Sequence, residues 1–138
     1  MKFARKEENE MRLGSKIALV TGAGGGLGGA TAIRFAAEGA KVLCSDLDLA
    51  KAEKTVSMIE SRGGTAIAHQ CDVADPAQCH AQVEEAIKCF GRLDVLVNSA
   101  GVSLHRLALD TTIEDWNRVL DINLTGSFLT AQAAANVM

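Results

Sequence analysis

Closely spaced glycines are the residues of this sequence whose type and spacing could do chemistry. They lie at positions 22, 24, 25, 26 and 28, between an apolar run that begins at Lys16 and a helix-like run that begins at Thr31. Glycine permits a sharp turn and leaves the backbone amides uncovered, and the following helix directs its free N–H groups at that turn. A diphosphate is the usual ligand of such a turn. A flexible hinge and a close helix–strand crossing are the alternatives at this stage.

An acidic side chain ends the next apolar run, Lys41–Asp46. A carboxylate at this position can accept hydrogen bonds from both hydroxyls of an adenosine ribose, and it would repel a 2′-phosphate. Neither Lys nor Arg lies in the glycine run or immediately after Asp46. The sequence therefore favours NAD over NADP, with a solvated aspartate that caps the next helix as the alternative interpretation.

Asp72 and Val73 follow a third predicted strand, Thr65–Cys71. The aspartate could bind the amino group of an adenine while the valine covers the ring. A turn-forming aspartate ahead of Asp75 and Pro76 is equally compatible with the sequence.

Short apolar runs alternate with helical periodicity along the chain, which predicts an α/β fold with a doubly wound parallel sheet. About four strands in the order 3-2-1-4 and four helices are expected, within a leader at residues 1–14 and a partial Rossmann domain at residues 15–138. The predicted strands are Lys16–Thr21, Lys41–Asp46, Thr65–Cys71 and Leu93–Val97. Ligands of such sheets bind where the strand order reverses, between strands 1 and 4.

Helical spacing also predicts which side chains are buried. In the first helix Ala30, Ile33 and Ala37 share one face, which is predicted to pack on the sheet. In the long C-terminal helix Trp116 follows the same spacing as its apolar neighbours and is predicted to lie in the core.

Composition excludes several classes of protein. The net charge is −3 with no basic block, so nucleic acid and anionic membranes are not expected partners. No apolar run approaches the roughly 20 residues of a membrane span, and a signal segment is not evident, which favours the cytoplasm. The four cysteines lack C-x-x-C spacing, so no metal site is expected and the thiols should be reduced and act as small apolar side chains.

Taken together, the motifs resemble the N-terminal half of a short-chain dehydrogenase/reductase over residues 13–138. They are Thr21-Gly22-x-x-x-Gly26-x-Gly28, Asp46, Asp72-Val73, Asn98-Ser99-Ala100-Gly101 and Asp121-Ile122-Asn123-Leu124-Thr125-Gly126. Ser99 departs from the commonest form of the family, which has a second asparagine there.

The resemblance implies a set of site residues. Asn123 matches the active-site asparagine of the family, whose side chain or a local break in its helix can hold a water that relays protons to a catalytic lysine. The residues expected to bind NAD are Gly22, Gly25, Gly26, Leu27, Gly28, Asp46, Leu47, Asp72, Val73, Asn98, Ala100 and Gly101.

The resemblance also implies an activity, the interconversion of a secondary alcohol and a ketone by hydride transfer. The family uses a serine and a Tyr-x-x-x-Lys motif for this step, and this chain contains no tyrosine. We therefore expect a truncated form that is inactive alone, or a non-catalytic dinucleotide-binding module or subunit. A domain that binds S-adenosylmethionine is a third possibility, against which Asn98–Gly101 and Asp121–Gly126 argue.

Self-association is a further expectation. Without more strands, Leu93–Val97 would be an open apolar edge that invites pairing. The long C-terminal helix matches the helix through which members of the family form homo-oligomers.

Overall fold

Four parallel strands form one sheet in the computed structural model, which describes residues 11–138. The strand order is β3-β2-β1-β4, which confirms the predicted order and the doubly wound α/β architecture. The elements are β1 (Ile17–Thr21), α1 (Gly26–Ala37), β2 (Lys41–Asp46), α2 (Leu49–Glu60), β3 (Thr65–Gln70), α3 (Pro76–Phe90), β4 (Val95–Val97), a 3₁₀ turn (Ala108–Asp110), α4 (Ile113–Leu120), a π-helical segment (Asp121–Thr125) and α5 (Gly126–Ala135).

Strand β1 lies at the centre of the sheet and all five of its residues are buried. Leu19 pairs in register with Leu43 of β2 on one side and with Leu96 of β4 on the other. Burial on both faces explains its continuous apolar sequence. Because β2 and β4 flank β1, the strand order reverses between β1 and β4, as predicted.

Helices cover both faces of this sheet. Helices α1 and α2 pack on one face, where Ala32 and Ile59 join a buried cluster with Val20. Helices α3 and α5 pack on the other face, where Val83 and Ala133 join Leu19. Each fully buried aliphatic side chain of the larger kind contributes about 1.5–3 kcal/mol relative to its exposed state. The sheet ends are thereby held at fixed positions relative to the loops that follow them.

Side-chain caps and a left-handed glycine define the ends of α2 and α3. Asp48 accepts the Lys51 N–H at the start of α2, and Asp75 accepts the Ala77 and Gln78 N–H groups at the start of α3. Gly91 ends α3 in a left-handed conformation with φ of 84°.

The predicted inward face of the first helix is wrong at two of its three residues. Ile33 is half-buried and packs against the core, as predicted. Ala30 and Ala37 are exposed, whereas the buried residues of α1 are Gly28, Gly29, Ala32 and Ala36. The helix begins inside the glycine run, at Gly26, and two glycines form the start of its packed face. A Cβ atom on Gly28 would lie 2.2 Å from the Gly22 carbonyl oxygen, so only glycine permits this close crossing.

Strand β4 is shorter than predicted because Leu93 and Asp94 precede it. Leu93 is buried beside α3 and α5, and Asp94 accepts the Ile17 N–H with its side chain at 2.9 Å. This side-chain hydrogen bond joins β1 to the segment before β4, and regular strand geometry begins only at Val95.

The C-terminal helical rod consists of α4, the π-helical segment and α5 without a gap. Only its second half is packed: α5 buries Thr130, Ala133 and Ala134, and α4 buries none of its residues. Trp116 is 58 % exposed, so the prediction that it lies in the core is wrong. Ile113 beside it is 64 % exposed, so this side of α4 presents an apolar patch.

All four cysteines are free thiols, as predicted, and Cys44, Cys71 and Cys79 are buried. Cys71 follows β3 rather than lying within it. Cys89 is exposed on α3, where its Sγ donates to the Glu85 carboxylate at 3.2 Å.

The predicted leader is described only in part, since residues 1–10 lie outside the described residues. Residues 11–14 form a turn in which the Leu13 N–H donates to the Glu38 carbonyl oxygen at 2.8 Å and Leu13 packs against the core. Among residues 11–138, no helix combines the length and the apolar character that crossing a membrane requires.

Candidate functional site

The end of β1 and the end of β4 are joined by one threonine and one glycine. The Thr21 hydroxyl accepts the N–H groups of Ser99 and Ala100, both at 3.1 Å. Gly22 has a φ of 64°, and a Cβ atom there would lie 2.8 Å from the Ala100 nitrogen. A side chain at Gly22 would therefore push the two strand ends apart, which explains glycine at the first position of the loop.

A cleft of about 560 Å³ opens above this junction. Its walls are Gly22, Gly24, Gly25, Gly26, Leu27, Gly28, Asp46, Lys51, Ser99, Ala100 and Gly101. Gly25 caps α1 without a side-chain hydrogen bond, so the first N–H groups of this 12-residue helix are not covered by a capping side chain. Free amides and the positive end of a helix dipole suit a diphosphate.

Asp46 connects the glycine loop to the end of β2. Its Oδ2 accepts the Gly24 N–H at 2.8 Å, and its Oδ1 accepts the Asp48 N–H at 3.0 Å. An ionised carboxylate offers about four lone-pair positions, so two remain for a ligand. The alternative of a helix-capping aspartate does not apply, because Asp48 caps α2.

A second, narrower cavity of about 140 Å³ adjoins the cleft and shares Gly22, Asp46, Ala100 and Gly101 with it. Its other walls are Ser45, Leu47, Cys71, Asp72, Val73, Val102 and Ile122. Asp72 also accepts the Ala74 N–H at 2.9 Å. The aspartate therefore forms the predicted turn and still lies on the cavity wall, so the two interpretations of Asp72 are compatible.

Ser45 and Cys71 are buried wall residues of this second cavity, 1 % and 2 % exposed. The Ser45 hydroxyl makes no hydrogen bond of good geometry within the described residues. Burial, together with a smaller effect of the neighbouring Cys79 thiol, raises the pKa of the Cys71 thiol to about 12, and Ser45 offsets a small part of this increase. Cys71 is therefore a neutral, unreactive wall of the cavity.

The two asparagines of the predicted site have different positions. Asn98 is not among the wall residues of either cavity; its side-chain Nδ2 donates to the Ser127 carbonyl oxygen at 3.1 Å and joins the end of β4 to α5. Asn123 lies in the π-helical segment. Its Oδ1 accepts the Val102 N–H and its Nδ2 donates to the Val102 carbonyl oxygen, both at 2.8 Å.

The local break that was predicted as one alternative at Asn123 is confirmed by the π-helical segment. The Asn123 side chain, which was the other group predicted to hold a water, is hydrogen-bonded to Val102 in the loop that follows β4. The backbone carbonyl oxygen of Asn123 accepts the Ser127 hydroxyl at 2.8 Å. Asn123 therefore holds Val102, a wall residue of the second cavity, against the π-helical segment.

Seven wall residues of the two cavities were not predicted from the sequence: Gly24, Ser45, Lys51, Cys71, Ser99, Val102 and Ile122. Gly24 could have been found, since it belongs to the same glycine run as the predicted residues. Lys51 gave no sequence signal, because the first turn of α2 brings it back toward the loop. No cluster of three metal-binding side chains occurs in residues 11–138.

Comparison with known proteins decides the family. The sequence profile described as short chain dehydrogenase matches residues 16–138. The chain belongs to the short-chain dehydrogenase family. The motifs and the 3-2-1-4 sheet are therefore the family's cofactor-binding fold, and the family resemblance that the sequence indicated is confirmed.

Individual relatives support this assignment. The chain is 42 % identical to a (3R)-3-hydroxyacyl-CoA dehydrogenase of Mus musculus, over 94 % of this chain and 53 % of the relative. It is 41 % identical to a 3-oxoacyl-[acyl-carrier-protein] reductase of a Synechocystis strain, over 91 % of this chain and 51 % of the relative. A hydroxysteroid dehydrogenase structure from Escherichia coli superimposes with a TM-score of 0.88 at 35 % identity, over 93 % of this chain and 54 % of that chain.

This chain thus spans about half the length of the relatives and structures that it matches. The matched half contains the glycine loop, the strand ends and the π-helical segment. Members of this oxidoreductase family bind a nicotinamide dinucleotide, and the uncapped helix start and the Asp46 carboxylate suit its diphosphate and ribose.

Proposed function

We propose that this chain is the NAD(H)-binding half of an oxidoreductase that interconverts a secondary alcohol and a ketone. One observation carries the proposal: the glycine loop, Asp46 and Asp72 surround two adjoining cavities at the point where the sheet reverses. A diphosphate fits the wider cleft and an adenine suits the narrower cavity. The ribose between them would meet Asp46, which is shared by both walls.

The preference for NAD over NADP rests on the charge of Asp46. Its carboxylate holds the Gly24 N–H and so lies directly against the loop. A 2′-phosphate at the same place would bring two negative groups together, whereas two ribose hydroxyls would donate to the free lone pairs.

Further residues have proposed roles around these contacts. The N–H groups at the start of α1 would bind the diphosphate of the dinucleotide. Leu27 would cover the ribose next to the diphosphate, and Leu47 would cover the adenine side. Val73 would pack on the adenine ring. Asn98 would act indirectly, by holding the end of β4 against α5. Asn123 would hold the loop after β4, and the π-helical segment in which it lies would provide backbone groups for a proton-relaying water.

A bound nicotinamide dinucleotide supplies the hydride donor or acceptor, and the alcohol or ketone needs a separate proton acceptor or donor. In the family a tyrosine has this role, and these 138 residues contain none. We therefore propose that the chain binds NAD but does not turn over alcohol by itself. A purely binding role, as a module or subunit, is the alternative that the same observation supports.

Calorimetric titration of the 138-residue chain with NAD and, separately, with S-adenosylmethionine tests the proposal. We expect a saturable heat for NAD and none for S-adenosylmethionine. Binding of S-adenosylmethionine without binding of NAD would assign the cleft to another class of Rossmann domain. Formation of NADH from secondary alcohols by the pure chain, at rates typical of dehydrogenases, would overturn the proposed lack of turnover.

A further inference from the structure

Lys51 is the single basic residue on the walls of the glycine-loop cleft. It lies in the first turn of α2, and its backbone N–H donates to the helix-capping Asp48 at 3.3 Å. A Cβ atom on Gly24 would lie 2.6 Å from the Lys51 Cβ and 2.7 Å from the Asp46 Oδ2. The stem of Lys51 therefore lies against the same loop residue that Asp46 binds.

The ammonium group of Lys51 is free to move toward a ligand. Its Nζ lies 3.8 Å from the Asp48 Oδ2, and the Lys51 and Asp48 side chains are 67 % and 48 % exposed. An exposed ion pair of this kind is weak, so a ligand phosphate could displace it. Asp46 and Asp48 are the anionic groups close to the lysine stem, and neither of them fixes the ammonium group in a bidentate contact.

We propose that Lys51 is a specificity-determining residue of the dinucleotide site, which offsets part of the repulsion between Asp46 and a 2′-phosphate. The inference rests on the proposed function. It implies that the chain discriminates against NADP less strongly than the Asp46 carboxylate alone would dictate. An ammonium group and a phosphate of about −1.5 to −2 charge at a solvated site attract each other enough to change a dissociation constant by about three- to tenfold.

Dissociation constants for NAD and for NADP, measured by calorimetry on the 138-residue chain, test the inference. The variant is Lys51→Met, which keeps the apolar stem and removes the charge. Lys54→Met is the matched control, because Lys54 lies one turn further along α2, is exposed, and is not a wall residue of the cleft. We expect the NADP-to-NAD ratio of dissociation constants to rise about three- to tenfold in Lys51→Met. The ratio should stay within about twofold of wild type in Lys54→Met.

A second background keeps the test decisive if NADP binding is too weak to measure. In Asp46→Asn, where the repulsion is removed, NADP should bind at least as tightly as NAD, and adding Lys51→Met should weaken NADP selectively. A ratio that changes no more in Lys51→Met than in Lys54→Met would overturn the inference and leave the proposed NAD site intact. Binding of neither dinucleotide by the wild-type chain would overturn both.

Discussion

The side chain of Asn123 closes a ring of two hydrogen bonds with the backbone of Val102, which fixes the loop after β4 against the π-helical segment. We expect Asn123→Ala to lower the free energy of unfolding by about 1–2 kcal/mol. The substitution removes two hydrogen bonds, each of which contributes about 0.5–1.5 kcal/mol, and both lie at the surface, which places the sum toward the lower end. Urea denaturation gives the value. An unchanged midpoint and slope would show that the ring does not stabilise the loop.

Thiol chemistry should separate Cys89 from the other cysteines. Cys44 and Cys71 are buried, and burial raises the pKa of each thiol to about 12, so both stay protonated and covered at pH 8. Cys79 is buried as well. We expect one fast-reacting thiol with a disulfide reagent in the folded chain and four after unfolding.

The hydrogen bond to Glu85 raises the pKa of the Cys89 thiol, so its thiolate fraction at pH 8 is below that of free cysteine. Glu85→Gln should therefore speed the labelling of Cys89, with Glu84→Gln as the matched control. Equal labelling rates in the two variants would contradict this effect of the carboxylate.

Individual residues differ in how far the sequence predicts them. Asp46 was predictable as a wall residue because it ends a strand whose neighbours in the sheet end at the same edge. Lys51 was not, because its approach to Gly24 depends on the direction in which α2 leaves the sheet. Asn98 matches the family motif, yet its side chain points to the Ser127 carbonyl oxygen rather than joining the cleft wall.

At the scale of elements, the loop from β1 to α1 requires glycine at the positions where a side chain would clash with the backbone. A Cβ on Gly28 would meet backbone at 2.2 Å, whereas a Cβ on Gly25 would meet nothing within 4 Å and its φ of 171° suits any residue. We expect Gly28→Ala to destabilise the chain by about 3 kcal/mol or more, at the upper end of overpacking. Gly25→Ala should change stability by less than about 0.5 kcal/mol.

Chemical denaturation of the two glycine variants side by side provides the measurement, since they differ only in position. Equal stabilities would mean that the close crossing between the loop and α1 is not required. The same geometry explains why the predicted helix face was wrong at Ala30 and Ala37 and correct only at Ile33: the packed face begins with glycines that no hydrophobic pattern can detect.

Strands were easier to predict than helix faces for a physical reason. Strand β1 is buried on both sides, so its continuous apolar run indicates a central parallel strand whichever way its side chains face. The long C-terminal helix also has apolar residues on more than one side, but α4 leaves Ile113 and Trp116 exposed. Sequence periodicity indicates that a face is apolar and does not indicate what covers it.

At the scale of the whole molecule, two apolar surfaces lack a partner within the described residues. Strand β4 is at the edge of the sheet, and Ile113 and Trp116 form an exposed patch on α4. We expect the chain to self-associate through them, as proposed from the sequence, because edges and apolar patches of this kind favour contact with other chains.

Sedimentation velocity over a range of concentrations would measure this association. The double variant Ile113→Lys/Trp116→Lys should shift the chain toward monomer, and Lys54→Met, on the opposite side of the sheet, should not. A wild-type mass that equals the monomer at every concentration would contradict the expectation.

The central claim is that the two cavities at the sheet reversal bind NAD with Asp46 on the ribose. The most direct measurement is the dissociation constant of NAD, by calorimetry, for the wild-type chain, for Asp46→Asn and for the control Glu60→Gln at the far end of α2. We predict saturable binding by wild type, a loss of about tenfold or more in Asp46→Asn, because hydrogen bonds to charged groups contribute about 1.5–3 kcal/mol, and wild-type affinity in Glu60→Gln. Equal affinities in all three proteins, or no NAD binding by the folded wild-type chain, would contradict the claim.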